Sequence, residues 1–349
     1  MLNKDQNQDA AQGALALQAG GNITIGLSAI EAIAIAREVA VATFRELSGD
    51  ARDTMSARVE QITVEVISRL EKENPEGLKK AKDPDFQHAL LTVQKEYGRT
   101  GDRQLGDLLV DLLVDRSKQD ERNILQIVLN ESLNVVPKLT DSHLANLAIV
   151  FLFRYVQSYD VVSDALLGNY LDTHVMPFVS KISKKPSSFQ HLQFTGCGSE
   201  QMMAATLETL LLGSYQGLFS KGVDSSEVDA EELSWKLREV FLIRCLNDSE
   251  KFQVKFISRT ALFDIFDRYY IGQEDRDKIL RLFNAGLMSE DEVREKCVGL
   301  RPYLGPVFSC WNESRMTNFT LTSVGLAIGH ASVKREVGSE FGDLSIWVN

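Results

Sequence analysis

Apolar positions along most of the chain repeat at three- and four-residue spacing, the period of an amphipathic helix. The most regular run is Met55, Val59, Ile62 and Val66. This seam predicts a helix that packs against a partner helix. Helix starts are also marked, for example by Asp83 as an N-cap and Pro84 at the first helical position. The chain is therefore predicted to be mainly α-helical.

Breaks in this pattern divide the chain into four parts. Residues 1–26 are predicted to be a flexible tail ending in a β arm, and residues 27–76 a helical hairpin. Residues 77–183 are predicted to form a helical bundle, because their helices are separated by short loops. The polar loop at 184–188 then opens a C-terminal helical domain that extends over residues 184–349.

The N-terminal arm, Gly20–Gly26, has the sequence Gly-Gly-Asn-Ile-Thr-Ile-Gly. In an extended chain, Ile23 and Ile25 point to the same side, as in a strand with one apolar face. A strand this short needs a partner, because its backbone groups must form hydrogen bonds. The partner lies either elsewhere in the chain or in another copy of the protein.

Further β structure is predicted in the C-terminal third. Pro306–Trp311 and Met316–Leu321 are predicted to form a hairpin, and Leu344–Val348 a further strand. The order of elements resembles that of winged-helix modules: a helix, then this hairpin, then a last helix capped by Thr322 or Ser323. The predicted fold class is mainly α: a helical bundle followed by a helical C-terminal domain with a small winged-helix-like β-hairpin, and a short N-terminal β arm.

The first helix is predicted to begin at Ser28, which forms a capping-box pattern with Glu31. The segment that follows, Ala29–Ala36, is apolar around most of the helix, more than one buried stripe requires. Either the helical bundle of the same chain covers this helix, or another copy does. We predict a homo-oligomer whose copies meet through Ile23, Ile25, Ile30 and Ile33.

Composition limits the partners. Hydrophobic residues make up 44% of the chain and charged residues 25%, which allows a sizeable core, and the net charge is −11. This acidic balance argues against nucleic acid and anionic membrane surfaces as partners. No apolar run reaches the roughly 20 residues that span a bilayer, and the N-terminus lacks the apolar core of a signal peptide. We expect a cytoplasmic protein.

A cluster of carboxylates is the first candidate for chemistry. Asp107, Asp111 and Asp115 are four residues apart and therefore line one helix face. Such a face can bind a divalent cation or supply acid and base groups. Because a hard-metal site normally draws ligands from several elements, we predict a solvated face and no metal site. No GxxxxGK[ST] or GxGxxG motif is present, so no cofactor is predicted.

The second candidate is a cysteine–histidine pair, His191 and Cys197, in a segment with flanking glycines. Such a pair can form a nucleophile. Its spacing matches no nucleophilic motif, however, and no cysteine has zinc-ligand spacing. We predict reduced, catalytically idle thiols and no catalytic residues. The four cysteines are Cys197, Cys245, Cys297 and Cys310.

Three segments together resemble a family of uncharacterised bacterial proteins, over roughly residues 20–335. They are Lys82–Gln87; Gly101-Asp102 with Leu105–Val114; and Leu129-Asn130-Glu131 with Pro137–Thr140. The resemblance implies no chemistry. The arm is also similar to segments near the start of bacterial conflict and phage-defence proteins, and Leu321–Gly325 to abortive-infection proteins. Those likenesses imply a defence context and transfer no catalytic residue.

Three functional hypotheses follow. The leading one is a non-enzymatic, homo-oligomeric scaffold or sensor of the bacterial cytoplasm, with protein partners and a role in antiphage defence. The first alternative is a winged-helix regulator that binds nucleic acid. The second is a metal-dependent enzyme that uses the acidic helix predicted at residues 102–117.

Overall fold

The computed structural model describes residues 28–43, 49–338 and 341–348. This part of the chain is mainly helical with two small antiparallel sheets, which confirms that the fold class is mainly α. The α-helices are α1 (Ala29–Thr43), α2 (Gly49–Glu73), α3 (Pro84–Thr100), α4 (Arg103–Ser117), α5 (Ile124–Val135), α6 (Asp141–Tyr155), α7 (Asp164–His174), α8 (Met176–Val179), α9 (Pro186–Phe194), α10 (Leu207–Ser214), α11 (Ser225–Ala230), α12 (Trp235–Phe241), α13 (Arg259–Arg268), α14 (Gln273–Asn284), α15 (Glu290–Leu300), α16 (Leu304–Asn312) and α17 (Ser323–Val337). The strands are β1 (Gly198–Glu200), β2 (Leu242–Arg244), β3 (Phe252–Val254) and β4 (Phe319–Leu321). Short 3-10 helices lie at Pro75–Lys82, Val136–Lys138, Gln216–Phe219, Arg315–Asn318 and Leu344–Ile346.

Side-chain caps fix several helix starts where the sequence predicts them. The Ser28 backbone N–H donates to Glu31 Oε2 at 3.0 Å, and the Glu31 N–H donates to Ser28 Oγ at 3.3 Å. This is the predicted capping box of α1. At the start of α3, the Asp83 carboxylate accepts the Phe86 N–H at 2.9 Å, with Pro84 in the first helical position. Both predictions are confirmed.

One large apolar core joins the N-terminal helices to the C-terminal one. Every residue of Ala145–Phe153 in α6 is buried, and so is every residue of Gly325–Val333 in α17. Helix α17 packs on α6 and also on α4, α5 and α7. The main core contains residues from both sides of the boundary predicted at residue 184, and that domain division stays a prediction. None of the described helices is both long and apolar enough to cross a bilayer.

A second, smaller core lies within residues 220–287, between α11–α14 and the hairpin of β2 and β3. The two ends of this inserted lobe lie next to each other where they join the main body, because Ser220 and Leu287 form an antiparallel bridge. Gly286 has φ +61°, and a Cβ there would lie 2.2 Å from the Gly222 carbonyl oxygen. Only glycine allows the two ends of the lobe to approach this closely.

The predicted hairpin at Pro306–Leu321 is wrong in position. Residues 304–312 form helix α16, and Phe319–Leu321 pairs with Gly198–Glu200 instead of with a neighbouring strand. The apolar run fits the helical period: Leu304, Val307, Phe308 and Trp311 are all buried on one face. The β-hairpin of the C-terminal part is formed by β2 and β3. The winged-helix alternative therefore loses the hairpin on which it depended.

Two other β predictions have different outcomes. The predicted strand at Leu344–Val348 is wrong, because Leu344–Ile346 forms a 3-10 helix. Leu344 and Val348 instead anchor this segment in the main core, which favours a turn over an extended chain. The predicted N-terminal arm, with Ile23 and Ile25, lies outside the described residues.

We expect Gly325→Ala to destabilise the protein strongly. A Cβ at Gly325 would lie 1.8 Å from the Cys197 carbonyl oxygen, so α17 has to shift away from the turn before β1. The expected loss in the free energy of unfolding is about 3 kcal/mol. Gly299→Ala is the matched control, since nothing lies within 4 Å of its added Cβ, and it should be neutral or stabilise by up to about 1 kcal/mol. Urea denaturation measures both. If the Gly325→Ala and Gly299→Ala proteins were equally stable, the close contact between Gly325 and the Cys197 carbonyl would be contradicted.

Candidate functional site

Helix α1 is attached to α2 and α3 by its small side chains. Ala32, Ala36 and Ala40 are all buried, and they recur every four residues on one face. The buried Gln94 of α3 donates its Nε2–H to the Ala36 carbonyl at 3.3 Å and to Thr63 Oγ1 at 2.8 Å. The alanine face therefore allows a close, hydrogen-bonded approach between helices.

The isoleucines of α1 are placed differently. Ile30 is 81% exposed, and Ile33 is half-buried beside a groove between α1 and α2 with a volume of about 270 Å³. The groove is lined by Ile33, Arg37, Ala40, Ser56, Ala57, Val59, Glu60 and Thr63. We call Ile30 and this groove the α1 face. Four interface residues are predicted from the sequence, and the structure describes two of them, Ile30 and Ile33. Both belong to the α1 face.

The acidic helix predicted at residues 102–117 is α4, and two of its three carboxylates form ion pairs. Asp111 Oδ1 accepts from Arg69 Nη2 at 2.6 Å, and Asp115 Oδ1 accepts from Lys118 at 2.7 Å and from Lys334 at 2.9 Å. Within the described residues, no three His, Cys, Asp or Glu side chains form a group that could hold a metal ion.

The electrostatics of these two carboxylates differ. Burial raises the pKa of Asp111 above its ordinary value, although Arg69 opposes the change. Burial acts in the same direction on Asp115, but Lys334 and Lys118 outweigh it, and the pKa of Asp115 lies below its ordinary value. Both groups connect helices: Asp111 joins α4 to α2, and Asp115 joins α4 to α17. This geometry supports a structural role.

His191 and Cys197 do not form a nucleophilic pair. The His191 Nε2–H donates to the Lys138 carbonyl at 2.8 Å, and its ring stacks on His143 at 4.9 Å. The Cys197 sulfur lies 3.5 Å from Thr195 Oγ1, and the Cys197 carbonyl accepts the Thr322 N–H at 3.1 Å. This segment holds the start of α17 in place.

All four cysteines are free and buried, as predicted. Burial raises the pKa of the thiols of Cys197, Cys297 and Cys310, and that of Cys297 to about 12. Because the thiolate is the reactive form of cysteine, these three groups are poor nucleophiles at neutral pH.

Two of the three segments that resemble the bacterial family, Lys82–Gln87 and Leu129–Glu131, contribute residues to one cleft on the surface. The start of α3, the end of α4 and α5 border this cleft of about 640 Å³. The cleft is lined by Lys80, Asp83, Asp85, Arg116, Gln119, Asp120, Arg122, Gln126, Ile127, Asn130 and Glu131. We call it the polar cleft, because Ile127 is the only apolar residue among those of the described chain that line it.

Arg116 lies at the floor of the polar cleft and is only 1% exposed. Its Nη2–H donates to Asp85 Oδ2, its Nε–H to Asn130 Oδ1 at 3.3 Å, and its guanidinium lies over the Phe86 ring at 5.6 Å. Burial opposes ionisation of Asp85, but the hydrogen bonds from Arg116 and Asn130 outweigh it and hold the pKa of Asp85 below its ordinary value. A buried charge is costly unless it is paired and hydrogen-bonded, as here.

The sequence contains a signal for the buried position of Arg116. Arg116 follows the buried Leu109 and Leu112 at helical spacing, which places a charged side chain on the buried face of α4. A charge on an apolar face requires a partner, and Asp85 and Asn130 lie in two of the segments of the resemblance, while Arg116 follows two residues after the third.

The sequence model of an uncharacterised protein family matches residues 26–348, a range that includes the α1 face and the polar cleft. The chain belongs to this family. The predicted membership of an uncharacterised family is thus confirmed, whereas a link to phage defence stays a hypothesis. No curated protein and no solved structure matches the chain.

We expect Asp85→Asn to cost about 1–3 kcal/mol of unfolding free energy at neutral pH, because it leaves the buried Arg116 without its carboxylate. Asp120→Asn, in the exposed Lys80–Asp120 pair of the same cleft, is the control and should change stability by less than about 0.5 kcal/mol. The Asp120 side chain is 88% exposed, and that of Asp85 is 55% exposed.

The cost of Asp85→Asn should also depend on pH. Because the pKa of Asp85 is lowered in the folded protein, its stabilisation is complete above the unfolded value near pH 4 and disappears as pH falls through the folded value. The difference between wild type and variant should therefore shrink in acid. Denaturation midpoints recorded against pH measure it, and a difference that grew in acid would contradict the assignment.

Proposed function

We propose that the protein is a non-enzymatic, homo-oligomeric interaction protein whose copies associate through the α1 face. One observation carries this proposal: α1 packs Ala32, Ala36 and Ala40 against its own chain and leaves Ile30 in solvent. Fully burying an isoleucine side chain is worth about 1.5–3 kcal/mol, so leaving it exposed on an apolar helix favours an interface.

The α1 face has the features needed to pair with itself. It presents a projecting side chain, Ile30, and a groove lined by Ile33 and Ala40 on the same helix. In a two-fold dimer the same surface is used twice, so Ile30 of each copy can enter the groove of the other. Arg37 and Glu60 form an exposed ion pair at 3.9 Å beside the groove and supply the polar rim of such an interface.

The rest of the proposal is supported by chemistry and by resemblance. Asp111 and Asp115 are held in ion pairs, and three of the four buried thiols have raised pKa values, which supports an interaction role over catalysis. The resemblance of the N-terminal segment Gly20–Gly26 to segments of phage-defence proteins motivates a scaffold or sensor in bacterial defence, in the cytoplasm, with protein partners.

We expect Ile30→Lys to lower the native mass, because a charge at this position would be buried in the interface. In a single copy Ile30 is exposed, so the substitution should leave the thermal stability of the subunit unchanged. Light scattering coupled to size exclusion, over a range of concentrations, measures the mass. The matched control is Ile346→Lys, at an isoleucine that is 63% exposed and far along the chain, and it should keep the wild-type mass.

Deleting residues 1–26 should also lower the native mass, and the double substitution of Ile30 and Ile33 by lysine should do so more strongly. A wild-type protein that stays monomeric at high concentration would overturn the proposal. So would a stable oligomer whose mass Ile30→Lys leaves unchanged.

A further inference from the structure

One cation of the polar cleft forms no ion pair with the described residues, and the carboxylates Asp83 and Glu131 also form none. Cations reach it from three elements: Lys80, Arg116 and Arg122. Lys80 pairs with Asp120 at 2.9 Å, and Arg116 pairs with Asp85. Arg122 is exposed and forms no ion pair or hydrogen bond with the part of the chain that the structure describes. Its guanidinium is therefore free to bind an anion from solution.

The start of α5 adds a second source of positive potential. Arg122, Gln126 and Ile127 line the cleft, so the first turn of this 12-residue helix borders it. The N-terminus of a helix carries a partial positive charge, which acidic residues in the first turn usually balance. Helix α3 has Asp83 and Asp85 at its start, whereas the first turn of α5 contains no acidic residue. Its N-cap, Asn123, is neutral.

Gln126 gives an independent sign of a ligand. It lines the cleft and is only 9% exposed. Its side-chain amide keeps some solvent exposure and forms no hydrogen bond with any described residue, so its donors and acceptor are open to a ligand. Asn130 lies one turn further on the same helix and holds the Arg116 guanidinium. A ligand bound between Arg122 and Asn130 would satisfy the Gln126 amide.

The carboxylates of the cleft limit what can bind. Glu131 has no partner among the described residues, and Asp83 already accepts the Phe86 N–H. They would repel a second anionic group, but carboxylate oxygens accept hydrogen bonds from hydroxyl groups. A cleft of about 640 Å³ has the size of a small-molecule site. Its chemistry therefore fits a polar ligand with one anionic end and several hydroxyl donors.

We propose that the polar cleft binds a small molecule with a single phosphate group on a hydroxyl-bearing body, such as a sugar phosphate or a nucleoside monophosphate. The phosphate lies between the Arg122 guanidinium, the Gln126 amide and the start of α5. The hydroxyl-bearing body lies towards Asp85 and Glu131. This site is separate from the α1 face and does not depend on the proposed oligomer.

Ribose 5-phosphate is the probe, with ribose and inorganic phosphate as the two halves of the ligand. Isothermal titration of the full chain, at fixed ionic strength, should show binding of ribose 5-phosphate, weaker binding of phosphate and none of ribose. Arg122→Gln should weaken the binding of ribose 5-phosphate by about tenfold or more, since it removes a charge-assisted hydrogen bond. Gln126→Glu places a negative charge beside the phosphate and should abolish binding.

Arg103→Gln is the matched control. Arg103 is also an exposed arginine without a partner among the described residues, but it lies at the other end of α4 from Arg116. This variant should bind ribose 5-phosphate like the wild type. The proposal is overturned if the wild type binds none of the probes, or if Arg122→Gln and Arg103→Gln bind alike. The native mass of the same samples tests the α1 face separately.

Discussion

The packing of α17 against α6 is the contact on which the rest of the main body depends. Both helices are buried on every face over about two turns, so neither can be stable without the other elements around it. The start of α17 is fixed by the Cys197 carbonyl, which accepts the Thr322 N–H and lies too near Gly325 for any side chain. This arrangement places Lys334 beside Asp115 and so aligns α4, the helix that supplies the floor of the polar cleft.

How much of this fold the sequence predicts depends on the distance over which each signal acts. Caps and apolar periodicity are local, so the start of α1 at the Ser28–Glu31 box and that of α3 at Asp83 were predicted correctly. The pairing of Gly198 with Leu321 joins residues more than a hundred positions apart, and no local pattern specifies it. Pro306–Trp311 was mistaken for a strand because a short apolar run fits both periods until its neighbours are known.

The candidate sites follow the same rule. The apolar character of α1 can be read from Ala29–Ala36, but only the structure shows that Ala32 and Ala36 face inward and Ile30 outward. The acidic face of α4 was recognised as a pattern, whereas its ion pairs with Arg69 and Lys334 come from helices distant in sequence. The role of Arg116 required the same information, because Asp85 and Asn130 reach it from two other helices.

Helix α3 supports the α1 face and borders the polar cleft, since Gln94 donates to the α1 backbone and Asp85 accepts from Arg116 at the cleft. The two sites nevertheless depend on different forces. Association through Ile30 would bury apolar surface, which salt does not screen, whereas the attraction of Arg122 and the α5 dipole for a phosphate falls as ionic strength rises. Helix α3 can transmit a conformational change between the two sites only if binding at one site favours a different arrangement of the other. Because salt weakens only the binding of phosphate in the cleft, the native mass at high ionic strength reports association through the α1 face alone. At low ionic strength, a change in native mass on adding a phosphate ligand would measure the coupling between the two sites.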